Sequence, residues 1–441
     1  MPPLTSIQEP ARPASRSPSW GAFLALGFRP LYFMGAGWAL VSIALWIYAP
    51  QVLDGPLAGV YWHAHEMLWG FIITIAVGFL LTASATWTGF NPLHGRPLGW
   101  LCLFWVIARI GFLLGGDVGF WFASLAEMLF FLLAAGSLAR VVLKGHSRRN
   151  YGLPLLLLAL GLADLLYLLA ARDGNYLLLM QRFDLGLIGM AIVALLIARR
   201  VIPFFSMRMV SGLQIPMLTR SGHIQMVFSV LALSLGVLLQ VLATPGGTPG
   251  SQPQAALAWL MAASLAIAGL ISLGQLWYWK PRAVLHKPML WILYLGYAFI
   301  AIGLLAAAIQ ISGLFDPALL RGLLARSATH VHLIGMAGFC ILIIGMITRT
   351  ALGHLGRPLA LDGSMVASYW LMILAVALRL AALWPSAATA TLLDLAAAAW
   401  VLCLGLYLWR FVPMLIRPRP DKQPVPVVQP KNVQQQPAQA Q

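Results

Sequence analysis

Charge is what this 441-residue chain has least of: 9% of residues are charged, and only 12 are acidic. That excludes an ordinary soluble domain, in which about a quarter of residues carry charge. Hydrophobic residues make up 61% and the mean hydropathy is +0.85, more apolar surface than one core can hide. The composition is that of an all-α polytopic membrane protein. Cysteine is nearly missing too. Cys102, Cys340 and Cys403 each fall within an apolar run and form no C-x-x-C pair, so they make neither a disulfide framework nor a thiolate cluster. A c-type C-x-x-C-H, a dinucleotide fingerprint and a phosphate loop are all absent. The first 20 residues, rich in Pro, Ser and Arg, hold no apolar stretch of the kind a cleavable signal peptide needs.

What is present is a series of apolar runs of roughly 20 residues, the length that crosses a bilayer. They predict twelve transmembrane helices over 31–49, 62–86, 98–115, 119–143, 153–171, 178–200, 223–243, 254–279, 287–311, 328–349, 365–384 and 388–414. Residues 28–416 form one transmembrane domain. Residues 1–27 and the Pro/Gln-rich 417–441 are expected to be disordered and cytoplasmic. The net charge of +16 is scattered over short loops, which speaks for membrane orientation rather than nucleic acid binding. With the N-terminus inside, the outer loops carry only Arg172, Arg321 and Arg326, whereas the inner ones carry arginines and lysines from Arg12 to Arg357. Both termini are expected in the cytoplasm. No internal repeat is evident, and 201–222 is the longest inner loop. The tryptophans and tyrosines partly supply interface belts.

Two histidine pairs stand out: His63-Ala64-His65, followed by Glu66, in span 2, and His330-Val331-His332 in span 10. Both spans run outside to inside, so both pairs lie at one outer level. Arg109, Glu127, Asp164, Arg182, Asp184, Arg379 and Asp394 also fall in the outer half. A charge at mid-bilayer costs roughly 2.5–3.5 kcal/mol on insertion scales and persists only with a partner or a function. Asp164, Arg182, Asp184 and Asp394 are near enough to the surface to be solvated helix-end groups. Arg109 and Arg379 lie deeper and are expected in ion pairs with Glu127 or Asp394, or as partners of haem propionates.

An α-helix turns about 100° per residue, so the two histidines of a pair point roughly 200° apart. A regular helix offers one imidazole to each of two neighbouring sites. No H-E-x-x-H or H-x-x-x-H occurs, which argues against a zinc hydrolase. Opposed imidazoles on two helices suit a flat cofactor held by axial nitrogens, so His63, His65, His330 and His332 are candidate haem or metal ligands. Copper is the other candidate. Glu66 is the candidate catalytic proton carrier, and Tyr294 and Glu127 are candidates for tuning the site.

The stretches GFRPLYFMGAGWAL (27–40), YWHAHEMLWGFIITIAVGFLLTASATWTG (61–89), ARRVIPFFSMRMV (198–210), PMLWILYLGYAFIAIGLL (288–305) and THVHLIGMAGFCILIIGMITRTALGHLGRPL (329–359) resemble the NnrS family over nearly the whole chain. The resemblance implies a twelve-span bacterial inner-membrane protein that holds haem and copper and takes part in resistance to nitric oxide. It carries ligand roles to His63, His65 and His330, and a loop motif to Arg349, His354, Gly356, Arg357 and Pro358. Two departures are Tyr294, where the family often has histidine, and His332, where it often has an apolar residue. Span 10 also resembles, distantly, the tenth helix of haem–copper oxidases and nitric oxide reductases. Their copper-binding histidines on helices six and seven have no counterpart here, since His223 sits at the inner end of span 7. His354 and its loop are expected to be structural, with partner docking as the alternative. His94, His146 and His286 are loop residues without an assigned role.

The function expected is binding and reduction of nitric oxide at haem b, one or two per chain, with copper as a further cofactor. The electron donor would be a quinol or redox protein. A non-catalytic haem or copper sensor or store, and a transporter of copper, haem or a small solute, are the alternatives.

Overall fold

The computed structural model describes residues 17–53, 55–242, 252–313 and 328–420. Residues 1–16 and 421–441 of the two expected disordered segments, and the outer-loop Arg321 and Arg326, lie outside the described residues. Every described element is helical, as lipid demands of a chain that must satisfy its backbone polar groups internally. Twelve helices are long and apolar enough to cross a membrane: α1 Phe28–Tyr48, α2 Gly59–Thr88, α3 Arg96–Leu114, α4 Asp117–Lys144, α5 Gly152–Arg172, α6 Tyr176–Met209, α7 Thr219–Leu242, α8 Gln252–Tyr278, α9 Pro288–Ser312, α10 Thr329–His354, α11 Gly363–Ala381 and α12 Thr389–Leu415. The tight turn between α3 and α4 is made by Gly115 and Gly116, both at positive φ (69° and 73°), where a Cβ would be strained.

α6 runs well past the expected end at 200, because the apolar V-I-P-F-F-S-M stretch continues the helix through Pro203. The longest inner loop thereby shrinks to a short link before α7. Most consecutive helices pack against each other, and α12 returns against α1. The centre is formed by α2, α6, α9 and α10. In its most apolar stretch α2 is 83% buried and α6 72%, against 33% for α1, α3 and α11. α9 and α10 approach closely over glycines: a Cβ at Gly296 would stand 2.6 Å from Leu342 N, and one at Gly338 2.6 Å from Ile300 Cγ1.

Both histidine-bearing helices share an irregularity. Directly after His65, residues Glu66–Ile73 wind as a π-helix, and directly after His332, Leu333–Cys340 do the same. Side chains reach back to i−5 carbonyls in both: Thr74 Oγ1 to Trp69 O at 3.2 Å and Cys340 Sγ to Gly335 O at 3.2 Å. The two π segments touch each other across the centre of the bundle. Such segments insert one extra residue per turn and concentrate at functional sites.

Candidate functional site

α2 sends its two histidines to opposite sides. The His63 ring lies parallel on Trp46 of α1, with centroids 5.2 Å apart and planes 10° from coincident. Its Nδ1 is buried and has no hydrogen-bond partner. Arg379 of α11 stands in electrostatic reach of His63 and also of His332 at the start of α10, and the two rings sense each other. His332 Nδ1 lies 2.7 Å from Ala328 O. A carbonyl only accepts, so Nδ1 carries the hydrogen and Nε2 is left with its lone pair.

His65, completely buried, points the other way. Its Nδ1 meets Glu66 Oε1 at 2.9 Å, and its Nε2 meets Asp164 Oδ1 of α5 at 3.0 Å and Glu127 Oε2 of α4 at 3.5 Å. Arg109 of α3 closes the network from above: Nη1 donates to Glu66 Oε2 at 2.5 Å, and Nη2 donates to Glu127 Oε2. Trp38 Nε1 of α1 donates to the same Glu66 oxygen at 2.5 Å. The rings of Trp69, Phe112 and Tyr167 surround the imidazole with centroids 4.9–5.9 Å away. Trp69 is itself anchored to α5 through Leu160 O at 3.1 Å.

His330 opens a third place. Its Nδ1 lies 2.7 Å from Gln310 Oε1 of α9 and its Nε2 3.0 Å from Asp184 Oδ1 of α6. His330 and Asp184 line a cavity of ≈ 560 Å³ among α6, α7, α8, α9 and α10 that also receives Gln181, Gln240 and Gln254. Thus His63 and His332 come into one neighbourhood with Arg379, while His65 and His330 each sit against a carboxylate.

Several residues lie elsewhere than the sequence suggests. Asp164 is no solvated helix-end group: it is fully buried, about two turns inside the end of α5. That depth, beyond reach of the surface for a short side chain, was the readable signal for it. Asp184 is partly exposed and held by His330, and Arg182 donates to Leu166 O, tying α6 to α5. Arg109 pairs with Glu127 and with Glu66 as well, so its guanidinium is spent within the protein. Tyr294 bonds Trp279 O and Ser206 Oγ, each at 3.0 Å, and lies about 24 Å along α9 from Gln310 by helix rise. The partners Trp38, Trp69, Tyr167 and Gln310 were not readable, because aromatic and amide residues in apolar spans have many uses.

The loop motif closes α10 structurally. Gly356 at φ 65° and the Arg357 N to Leu352 O bond of 2.9 Å make a left-handed helix stop. His354 packs on Phe28, and the Arg349 guanidinium sits 3.3 Å over the centre of the Phe205 ring.

The NnrS protein family model matches residues 22–419. The chain belongs to the NnrS family. No curated protein matches it. Family membership and the twelve apolar helices together describe a multi-pass membrane protein and support a part in resistance to nitric oxide.

Proposed function

We propose that this NnrS-family protein binds haem b between α2 and α10, where either His63 or His332 would hold it and leave room for nitric oxide, and reduces nitric oxide there. The observation that carries the reading is the buried Nδ1 of His63, which has no hydrogen-bond partner, near a His332 whose Nδ1 is taken by Ala328 O so that Nε2 keeps its lone pair. A ligand nitrogen without a partner fits an axial role, and a backbone carbonyl behind the second imidazole is the usual orienting contact. Arg379 supplies a cation beside both rings for propionates.

When bound, haem supplies an iron that takes nitric oxide as a ligand and passes electrons to it. Turning two nitric oxide molecules into nitrous oxide and water consumes two electrons and two protons. We assign the electrons to a quinol or redox protein; the Glu66 carboxylate is engaged with His65, Arg109 and Trp38 on the other side of α2. The positive loops assign the site to the periplasmic side of a bacterial inner membrane, with both termini inside. Copper is the second metal this reading admits, since imidazole suits it.

A second reading has a specific observation behind it. Histidines from two helices are able to hold one haem from both sides, and a haem held that way would carry electrons rather than bind and turn over nitric oxide. Optical spectra of the detergent-purified protein, oxidised, reduced and then exposed to nitric oxide, test both. A Soret band that shifts on nitric oxide, and that His332→Ala removes or alters, supports the reductase reading. A band unmoved by nitric oxide favours the second reading. Absence of any band after haem reconstitution sinks both.

A further inference from the structure

The cluster on the far side of α2 is poorly balanced as an ion-pair network. Glu66, Glu127 and Asp164 bring three carboxylates, all at 0–2% exposure, against the one guanidinium of Arg109. Two negative charges are left over, and one remains even with His65 as imidazolium. Uncompensated buried charge is strongly destabilising, so something positive belongs there. Two further observations say what. Asp164 Oδ2 is buried and bare, on the same carboxylate whose Oδ1 reaches His65. And His65 presents both nitrogens to carboxylate oxygens although a neutral imidazole has one hydrogen: Nδ1 is backed by Glu66, Nε2 faces Asp164 and Glu127. A carboxylate behind one nitrogen with the other nitrogen turned toward two more carboxylates is the arrangement found around metal-bound histidines.

We infer that His65 Nε2, Glu127 and Asp164 form a buried divalent-cation site, separate from the His63–His332 neighbourhood. One donor atom from each of the three lies within 4.8 Å of the others. The 3.0 and 3.5 Å separations from Nε2 approach the roughly 3 Å between adjacent ligands of an octahedral ion bound at about 2.1 Å. One imidazole and two carboxylates are a hard, oxygen-rich donor set. That set suits Mn²⁺, Fe²⁺ or Zn²⁺ and disfavours Cu⁺, which takes sulfur ligands. Arg109 and Trp38 are second neighbours: by holding Glu66 Oε2 they aim Oε1 at His65. The divalent charge neutralises the two left over. The inference does not depend on haem.

Mn²⁺ is the probe. Full-length protein in detergent, stripped with chelator, is titrated with Mn²⁺ and followed by electron paramagnetic resonance. Expected is one tightly held Mn²⁺ per chain, with coupling to a single imidazole nitrogen. Asp164→Asn and Glu127→Gln should abolish it, and Glu66→Gln should weaken it about 10–100-fold. Wild-type protein that holds no stoichiometric Mn²⁺, or holds it without nitrogen coupling, overturns the site. So does Asp164→Asn protein that binds Mn²⁺ as wild type does. The wild-type readings stand by themselves if a variant fails to fold. A missing Soret band with Mn²⁺ bound would sink the haem reading and leave this one standing.

Discussion

At the scale of single residues, two histidines one residue apart have different fates. No group hydrogen-bonds the buried Nδ1 of His63, while both nitrogens of His65 are enclosed by acids, because the helix turn separates the rings by roughly 200°. Arg109 shows how much a single buried charge holds together. Arg109→Met leaves Glu66 and Glu127 without their cation, and breaking a buried pair costs about 3–5 kcal/mol. A clearly lower thermal midpoint in detergent is the expected result; an unchanged midpoint would mean that the carboxylates are neutral in the folded protein. Gly70 matters for the same network, since a Cβ there would stand 2.5 Å from both Arg109 Nη1 and Glu66 Oε2. Gly70→Ala is therefore expected to lower the midpoint too, and to disturb metal binding at His65. Asp362, outside the spans, caps α11. Its partial burial works against ionisation, but bonds from Ser364 Oγ, Arg410 Nε and Met365 N hold its carboxyl down at about 2. A depressed pKa gives stability that is complete above the ordinary carboxyl value near 4 and is lost as pH falls toward 2. Acid titration of thermal stability should therefore show less loss below pH 4 in Asp362→Asn than in wild type.

At the scale of elements, the π segments of α2 and α10 set the direction in which the histidines face. Each carries an extra residue just past its pair, so the pair is rotated relative to the rest of its helix. Removing one residue from 333–340 should restore an α-helix and turn His330 and His332 by about 100°. On the haem reading proposed above, the expected outcome is a membrane-inserted protein that has lost the haem spectrum; an unaltered spectrum would show that the bulge does not aim the ligands. Glycine at the α9–α10 crossing is equally specific. Gly338→Val would drive its side chain into Ile300 and should both destabilise the bundle and break the Gln310–His330 contact across the same pair. The apolar runs announced where these helices lie, yet α2 and α10 read as ordinary spans. A π turn leaves hydropathy unaltered and is stabilised by packing. Asp164, in contrast, was visible as an intramembrane acid and misjudged only in depth.

At the scale of the whole molecule, eight hydrophobic helices pack around four central ones, and the two histidine pairs lie at the end where α2 and α10 begin. The lysine and arginine distribution predicts that both termini are cytoplasmic. Reporter fusions at the two ends should give the cytoplasmic signal, and a periplasmic signal at either would reverse the proposed side of the site. By itself the sequence determined the membrane character, the number of spans, the family and the common depth of the histidine pairs. These follow from hydrophobic length, residue identity and the 1.5 Å rise of a helix, all of which are local. Only the tertiary structure decided the partners. Glu66, Arg109, Glu127 and Asp164 come from α2, α3, α4 and α5 to meet at His65, while His63 turns to α1, α10 and α11. Which helices become neighbours depends on how their sides fit once inside the bilayer, where a buried charge has no water to turn to and must find its partner on another helix.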